Sequence, residues 1–160
     1  NDRYIYKNPD PDATFGFSSN LNYKNFDFSF FMRASIGNRV FNQVKAGRAY
    51  STYALSADAQ LSNIPTSYFD NEFSIGAAET ILSDLYIENG SFLRMDNITL
   101  GYTFPKFLDG KASLRLFTGC QNAFIITKYS GLDPEINNQG IDNTIYPRQR
   151  QFLFGANVKF

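Results

Sequence analysis

Residues Arg150–Phe160 read RQFLFGANVKF. Phe152, Phe154, Ala156, Val158 and Phe160 recur at every second position, and Gln151, Gly155, Asn157 and Lys159 fill the gaps, with Leu153 the one apolar exception. Successive side chains of a strand point to opposite faces, so a period of two marks a strand with one apolar face. Chain ends fray in water unless something holds them. A strand that runs to the final residue is therefore expected to be held by a neighbour.

The same pattern recurs four times upstream. In TFGFSSNLNY, Phe15, Phe17, Leu21 and Tyr23 oppose Gly16, Ser18, Asn20 and Asn22. Lys24-Asn25 is a two-residue hairpin signal. After it, FDFSFFMRASIG sets Phe26, Phe28, Phe30, Met32, Ala34 and Ile36 against Asp27, Ser29, Arg33, Ser35 and Gly37. DNITLGYTF sets Ile98, Leu100, Tyr102 and Phe104 against Asn97, Thr99, Gly101 and Thr103, and Pro105–Gly110 reads as a short turn. KASLRLFTGCQ then sets Ala112, Leu114 and Leu116 against Lys111, Ser113, Arg115 and Gln121. From there to Thr127 both faces are apolar, which predicts a bulge or register change. Between the strands lie two long polar connections, 38–90 and 128–147, in which VFNQV and AETILSDLYI hint at short helical turns.

Composition narrows the class. Fifteen Lys and Arg balance fifteen Asp and Glu, so no net charge draws the chain to nucleic acid. Histidine is absent, which removes the commonest general base and metal ligand. Cys120 is the only cysteine, so neither an intrachain disulfide nor a cysteine-based zinc site is available. Seventeen Phe and ten Tyr are far more aromatic surface than a soluble domain of 160 residues needs. No apolar run approaches the roughly 18 residues of a membrane-spanning helix, but alternating strands of a membrane barrel carry no such run. The chain opens at Asn1 without methionine or a leader pattern, as a processed product or a piece of a longer chain would.

A soluble β-sandwich also alternates. Two features favour a membrane barrel instead. Tyr23, Phe26, Phe104 and Phe160 fall at the short-turn end, where an interfacial aromatic girdle belongs. The opposite face carries Ser, Asn, Gly, Arg and Lys along whole strands, which suits a wet lumen. The expected fold is all-β: five antiparallel strands of a transmembrane barrel, too few to close, since the smallest outer-membrane barrels use about eight.

YIENGSFLRMDNITLGYTFP, LRLFTGCQNAFIITKYSGLDPEI and YPRQRQFLFGANVKF, in that order, resemble the C-terminal end of SusC/RagA-type TonB-linked outer-membrane transporters; the likeness extends into FDFSFFMRASIGNRVFNQ. The resemblance implies that residues 1–160 are the C-terminal part of a barrel domain of about 22 strands. It implies energised import of a bulky nutrient, an oligosaccharide or a peptide, with a SusD-like surface lipoprotein as lid. TonB would engage an N-terminal part outside this sequence, and the remainder of the barrel would complete the wall in outer-membrane lipid. The last strand would run from outside to periplasm, which places 38–90 and 128–147 outside and the C-terminus in the periplasm. The terminal Phe160, with Phe152, Phe154, Ala156 and Val158 before it, resembles the signal read by the barrel-insertion machinery.

No catalytic constellation or cofactor motif is present, and no enzymatic activity is expected. Tyr50, Tyr53, Tyr68 and Phe69 are candidates for stacking on a ligand or packing against the lid protein; the alternative is that they fold their own loop. Arg148 and Arg150 are candidates for lipopolysaccharide phosphates, because guanidinium binds phosphate bidentately; the alternative is a rim salt bridge. Asp133, Glu135 and Asp142 are oxygen donors, but their spacing matches no EF-hand loop, and a solvated loop is the commoner reading. Cys120 reads as a small wall residue. A soluble glycan-binding β-domain and a passive structural barrel remain as alternative functions.

Overall fold

The computed structural model describes residues 4, 6–48, 83–136, 139–143 and 146–160. In chain order these form β1 (Ala13–Tyr23), β2 (Phe26–Ile36), β3 (Arg39–Asn42), helix α1 (Gln43–Arg48), a 3-10 turn (Asp84–Tyr86), β4 (Ile87–Asn89), β5 (Phe92–Phe107), β6 (Ala112–Thr127), β7 (Ile141–Asp142) and β8 (Gln151–Lys159). They divide into two compact units.

One unit is the five expected strands, hydrogen-bonded in the order β1-β2-β5-β6-β8, each neighbouring pair antiparallel. The sheet is open. β1 and β2 have 11 residues each and β5 and β6 have 16, enough for the roughly 9–11 residues that cross a bilayer as a tilted strand. Lys24 takes the positive φ (54°) that a two-residue hairpin loop demands. The second turn lies later than the sequence suggests. β5 runs through Pro105 with a register shift between Phe104 and Phe107, and the chain reverses at Leu108, Asp109 and Gly110, all with positive φ. Proline lacks the N–H that a ladder needs, so the shift falls where the ladder is already interrupted.

Register sorts the side chains into two faces. Leu21, Phe28, Leu100, Thr118 and Phe154 form one cross-strand row, and Tyr23, Phe26, Tyr102, Leu116 and Ala156 form another on the same face. Its aromatics stand exposed: Phe15 at 59%, Phe152 at 67% and Phe154 at 82%. The intervening row Asn20, Ser29, Thr99, Gly119 and Leu153 lies on the opposite face. Leu153, the exception in the sequence pattern, is thus a neighbour of Gly119 on the polar side. At the short-turn end Tyr102 stacks edge-on against both Phe26 and Phe104, each with centroids 4.7 Å apart. Of the four aromatics expected at that end, Phe26 and Phe104 thus meet through Tyr102.

On the polar face an ion pair bridges three strands. Arg115 of β6 donates from Nε to Asp27 of β2 at 2.8 Å, and its Nη2 binds the second carboxylate oxygen. The two side chains meet above Gly101 of β5, where a Cβ would collide with the carboxylate and the guanidinium. Arg115 also lies 4.9 Å from the Phe117 ring centre, and that ring covers Gly155 of β8. Small residues on the central and last strands thus let long side chains lie across the wall.

The other unit comprises residues 1–11, 37–90 and 129–146 in their described parts. β3 is the middle strand of a three-stranded sheet, antiparallel to β4 and parallel to β7. The sequence marks this region only as polar connections. The structure gives them a sheet, with Val40, Ala46, Tyr86 and Tyr129 buried in the unit and Phe41 packed against Ala46 and Tyr86. VFNQV is half strand and half helix: Asn42 ends β3 and caps α1, its side-chain oxygen accepting the Lys45 backbone N–H at 2.9 Å. AETILSDLYI contributes the 3-10 turn at Asp84–Tyr86; its residues 78–82 lie outside the described residues.

If the Asp27–Arg115 pair needs the bare backbone of Gly101, the two features are coupled. Gly101→Ala should destabilise the intact protein by about 0.5–1 kcal/mol, the worth of a half-exposed ion pair. The same change in a D27N/R115Q background should be close to neutral. Thermal unfolding in detergent reads both; equal losses in the two backgrounds would show that the glycine serves another purpose.

Candidate functional site

Two polar centres are built around residues that sequence patterning did not single out, Glu88 and Tyr129 in one and Asn122 and Arg94 in the other. The first is in the three-stranded unit, at Glu88 of β4. Its carboxylate accepts from the Ser130 backbone N–H (2.8 Å) and hydroxyl (2.7 Å), from Lys45 Nζ (3.2 Å) and from Asn42 Nδ2 (3.3 Å). Burial pushes the Glu88 carboxyl up, but the Ser130 and Lys45 bonds outweigh it and hold the group below its ordinary range. Nearby, the buried Tyr129 hydroxyl donates to Asp142, itself buried. Burial first, then that hydrogen bond to a carboxylate, raises the Tyr129 pKa, so the phenol stays a donor.

The second centre is on the sheet, around the bulge in β5 and β6. Asn122 has a positive φ (50°), and its Nδ2 donates to the carbonyls of Arg148 (2.7 Å) and Gln149 (3.4 Å). The side-chain oxygen of Asn122 accepts from Arg94 Nη1 at 2.7 Å. Arg94 is 2% exposed and lies 5.5 Å from the Phe92 ring centre. The register places it opposite Arg33, and Arg33 pairs with Asp96, its Nη2 lying 3.0 Å from the carboxylate. This bulge is the irregularity that the two-sided apolar run after Gln121 predicts.

The residues named from sequence are distributed as follows. Phe152, Phe154, Ala156 and Val158 lie on the apolar face of β8, and Phe160 follows it at 90% exposure. Arg148 and Arg150 precede β8 and are exposed. Asp133 is buried and accepts the Glu135 backbone N–H at 2.9 Å. Asp142 is engaged by Tyr129, and no cluster of three metal-ligating side chains occurs among the described residues. Cys120 pairs with Ile98 and Phe152 on the apolar face, a wall position as expected. Tyr50, Tyr53, Tyr68 and Phe69 lie outside the described residues. Glu88, Tyr129 and Asn122 were missed because their partners are 42, 13 and 26 residues away. The positive φ at Asn122 had one sequence signal, Asn being the residue that most readily adopts it after Gly.

No protein-family model matches the chain. Over 99% of its length it is 42% identical to "TonB-dependent receptor SusC" of Bacteroides thetaiotaomicron and 35% identical to "TonB-dependent receptor P3" of Formosa agariphila. It spans 16% and 17% of the lengths of these relatives. Its fold matches a chain of the RagAB peptide importer in the open-open state with a TM-score of 0.73, at 22% identity, over 98% of this chain and 18% of that one. It matches the RagAB peptide transporter with a TM-score of 0.72, at 23% identity, over 95% and 17%. Sequence likeness along the whole chain, joined to an open antiparallel sheet with one apolar and one polar face, establishes that the chain belongs to the SusC/RagA-type TonB-dependent receptors, as a segment of their outer-membrane β-barrel.

Proposed function

We propose that this segment is the C-terminal wall and the outer loops of a TonB-dependent importer of bulky nutrients, an oligosaccharide or a peptide, working with a SusD-like lipoprotein. The observation that carries this reading is the sheet itself. Its apolar face leaves Phe15, Phe17, Leu100 and Phe154 exposed, its polar face is ion-paired, and it is open at β1 and β8. Lipid suits the first face, a filled or wet lumen suits the second, and the remainder of the barrel suits the edges. The naming of similar proteins as receptors and as a peptide importer supports the transport role.

In this reading β8 runs from outside to periplasm. Both long connections then lie outside, with Tyr50, Tyr53, Tyr68 and Phe69 as contacts for nutrient or lid protein. Arg148 and Arg150 stand at the outer end of β8, where phosphates of lipopolysaccharide are within reach. TonB acts through a part of the protein outside this segment. The wall residues perform no chemistry; they seal the membrane, and the loops recognise the cargo.

Orientation is tested by adding protease to intact cells. Cleavage is expected within 38–90 or 128–147, and cleavage at Lys24 or Lys111 in sealed cells would reverse the assignment. The faces are tested by arginine substitution. Phe30→Arg, on the apolar face, should cost about 2–4 kcal/mol near the bilayer midplane and deplete the assembled receptor. Ser29→Arg should leave it near normal. Equal depletion by both would argue that protein, as in a soluble sandwich, covers both faces.

Phe160 separates packing from targeting. Burying a phenylalanine stabilises by about 1.5–3 kcal/mol, yet Phe160 is 90% exposed within this chain. Deleting it from the full-length receptor should therefore change the melting temperature little. If it is part of the insertion signal, outer-membrane abundance should fall while the surviving molecules melt normally. Unchanged abundance would leave Phe160 as a plain wall residue.

A further inference from the structure

The three-stranded unit draws together stretches of chain that are far apart in sequence: 37–48, 83–90 and 129–143 in its described parts. The regular ladder between the first and third is short. β3 and β7 share two residue pairs, Phe41 with Ile141 and Asn42 with Asp142, with one further bond from the Phe41 N–H to the Gly140 carbonyl at 2.8 Å. The apolar cluster nearby is small, with Ala46 and Tyr86 buried and Phe41 packed against them. Neither a long ladder nor a large core holds these stretches.

Glu88 meets all three. It lies on β4; its carboxylate takes donors from Asn42 at the end of β3, from Lys45 on α1, and twice from Ser130 in the chain after β6. Asn42 doubles the connection, since its side-chain oxygen caps α1 while its nitrogen reaches Glu88 and, at 3.5 Å, the Ser130 hydroxyl. A carboxylate on one stretch with four donors from the other two is a junction, because removing it leaves each donor to find another partner.

We propose that Glu88 is a latch that joins 39–48, 83–90 and 129–136 into a single body, so that displacement of one is transmitted to the others. Tyr129–Asp142 is a separate closure. Its hydrogen bond joins two residues of the same stretch and uses neither the Asn42 nor the Lys45 side chain. The two contacts therefore have distinct signatures. Loss of Glu88 unties Ser130 from the Asn42 and Lys45 side chains and leaves the third stretch only the short β3–β7 ladder, whereas loss of the Tyr129 hydroxyl leaves the Glu88 donors and α1 in place. This inference does not rest on the direction in which the loops face or on what the receptor carries, and it can fail while both of those readings stand.

Hydrogen exchange of the full-length receptor in detergent, followed by mass spectrometry, tests it. Glu88→Gln replaces an acceptor for four donors by an amide. Exchange in 39–48 and in 129–136 should rise together, by about tenfold, equivalent to about 1.4 kcal/mol, with the strands of the larger sheet unchanged. Ser130→Ala keeps its backbone bond and should produce the same pattern at smaller amplitude; it serves as the readout if the Glu88 variant assembles poorly. Tyr129→Phe should raise exchange in 129–136 and 139–143, and at Phe41, whose N–H bonds the Gly140 carbonyl, and leave 43–48 at the wild-type rate. A rise confined to one of the two stretches in the Glu88 and Ser130 variants, or no rise in either, would overturn the latch.

Discussion

A peptide group in hydrocarbon has no water to bond to, and each unsatisfied N–H or C=O there costs several kcal/mol. That constraint orders the rest of this segment. Within the sheet, β2, β5 and β6 are paired on both sides, and the outer edges of β1 and β8 are where the ladder stops among the described residues. A twisted sheet that continues at both edges returns on itself, which removes the edges altogether. Closure also explains why Leu21, Leu100 and Phe154 of one cross-strand row stand exposed without a core beneath them. The solvent for that face is itself apolar, so exposure of phenylalanine there is no defect.

A two-solvent sheet must keep each charge on the correct side, and the bulges do this. Counting by twos from Leu100 through Ile98 would put Arg94 on the apolar face. The extra residue between Met95 and Asn97 shifts the count, so Arg94 comes opposite Arg33 instead. An arginine on the lipid face costs about 2–4 kcal/mol near the midplane, comparable with or greater than the cost of a local break in the ladder. The break is repaired by side chains. Asn122, in the left-handed region, bonds the carbonyls of Arg148 and Gln149 and receives the guanidinium of Arg94. Asp96, the residue the bulge adds, becomes the partner of Arg33. One irregularity thus supplies a polar address for two arginines.

Most of the sheet was legible from alternation, because a period of two is imposed by the pleat and survives without knowledge of the partner strand. What alternation missed follows from the same logic. Phe92–Met95 did not read as the start of β5 because the bulge inverts their parity. Pro105 read as part of a turn because proline usually ends pairing, yet here a register shift carries β5 past it. Leu153 looked misplaced until the register set it beside Gly119. Ion pairs such as Asp27 with Arg115 require the relative register of three strands, which no single strand encodes. The three-stranded unit was the least legible part: its strands are two to four residues long, and such lengths carry no periodicity.

The two units are therefore stabilised by different means. In the sheet, lateral hydrogen bonds and lipid do the holding, and few side chains are buried. In the other unit, the apolar residues are too few for a large core, and directional polar contacts at Glu88, Asn42, Tyr129 and Asp142 fix the shape. Buried polar groups are unfavourable unless satisfied, and here each of these four has a partner within the unit. Such a network holds loops in a definite form while leaving aromatic and apolar side chains outward. Tyr4, Tyr6, Leu132 and Tyr146 are all exposed in it, Tyr146 at 80%. A surface that must present apolar groups to another molecule gains from this division, because the groups that set its shape are not the groups it offers.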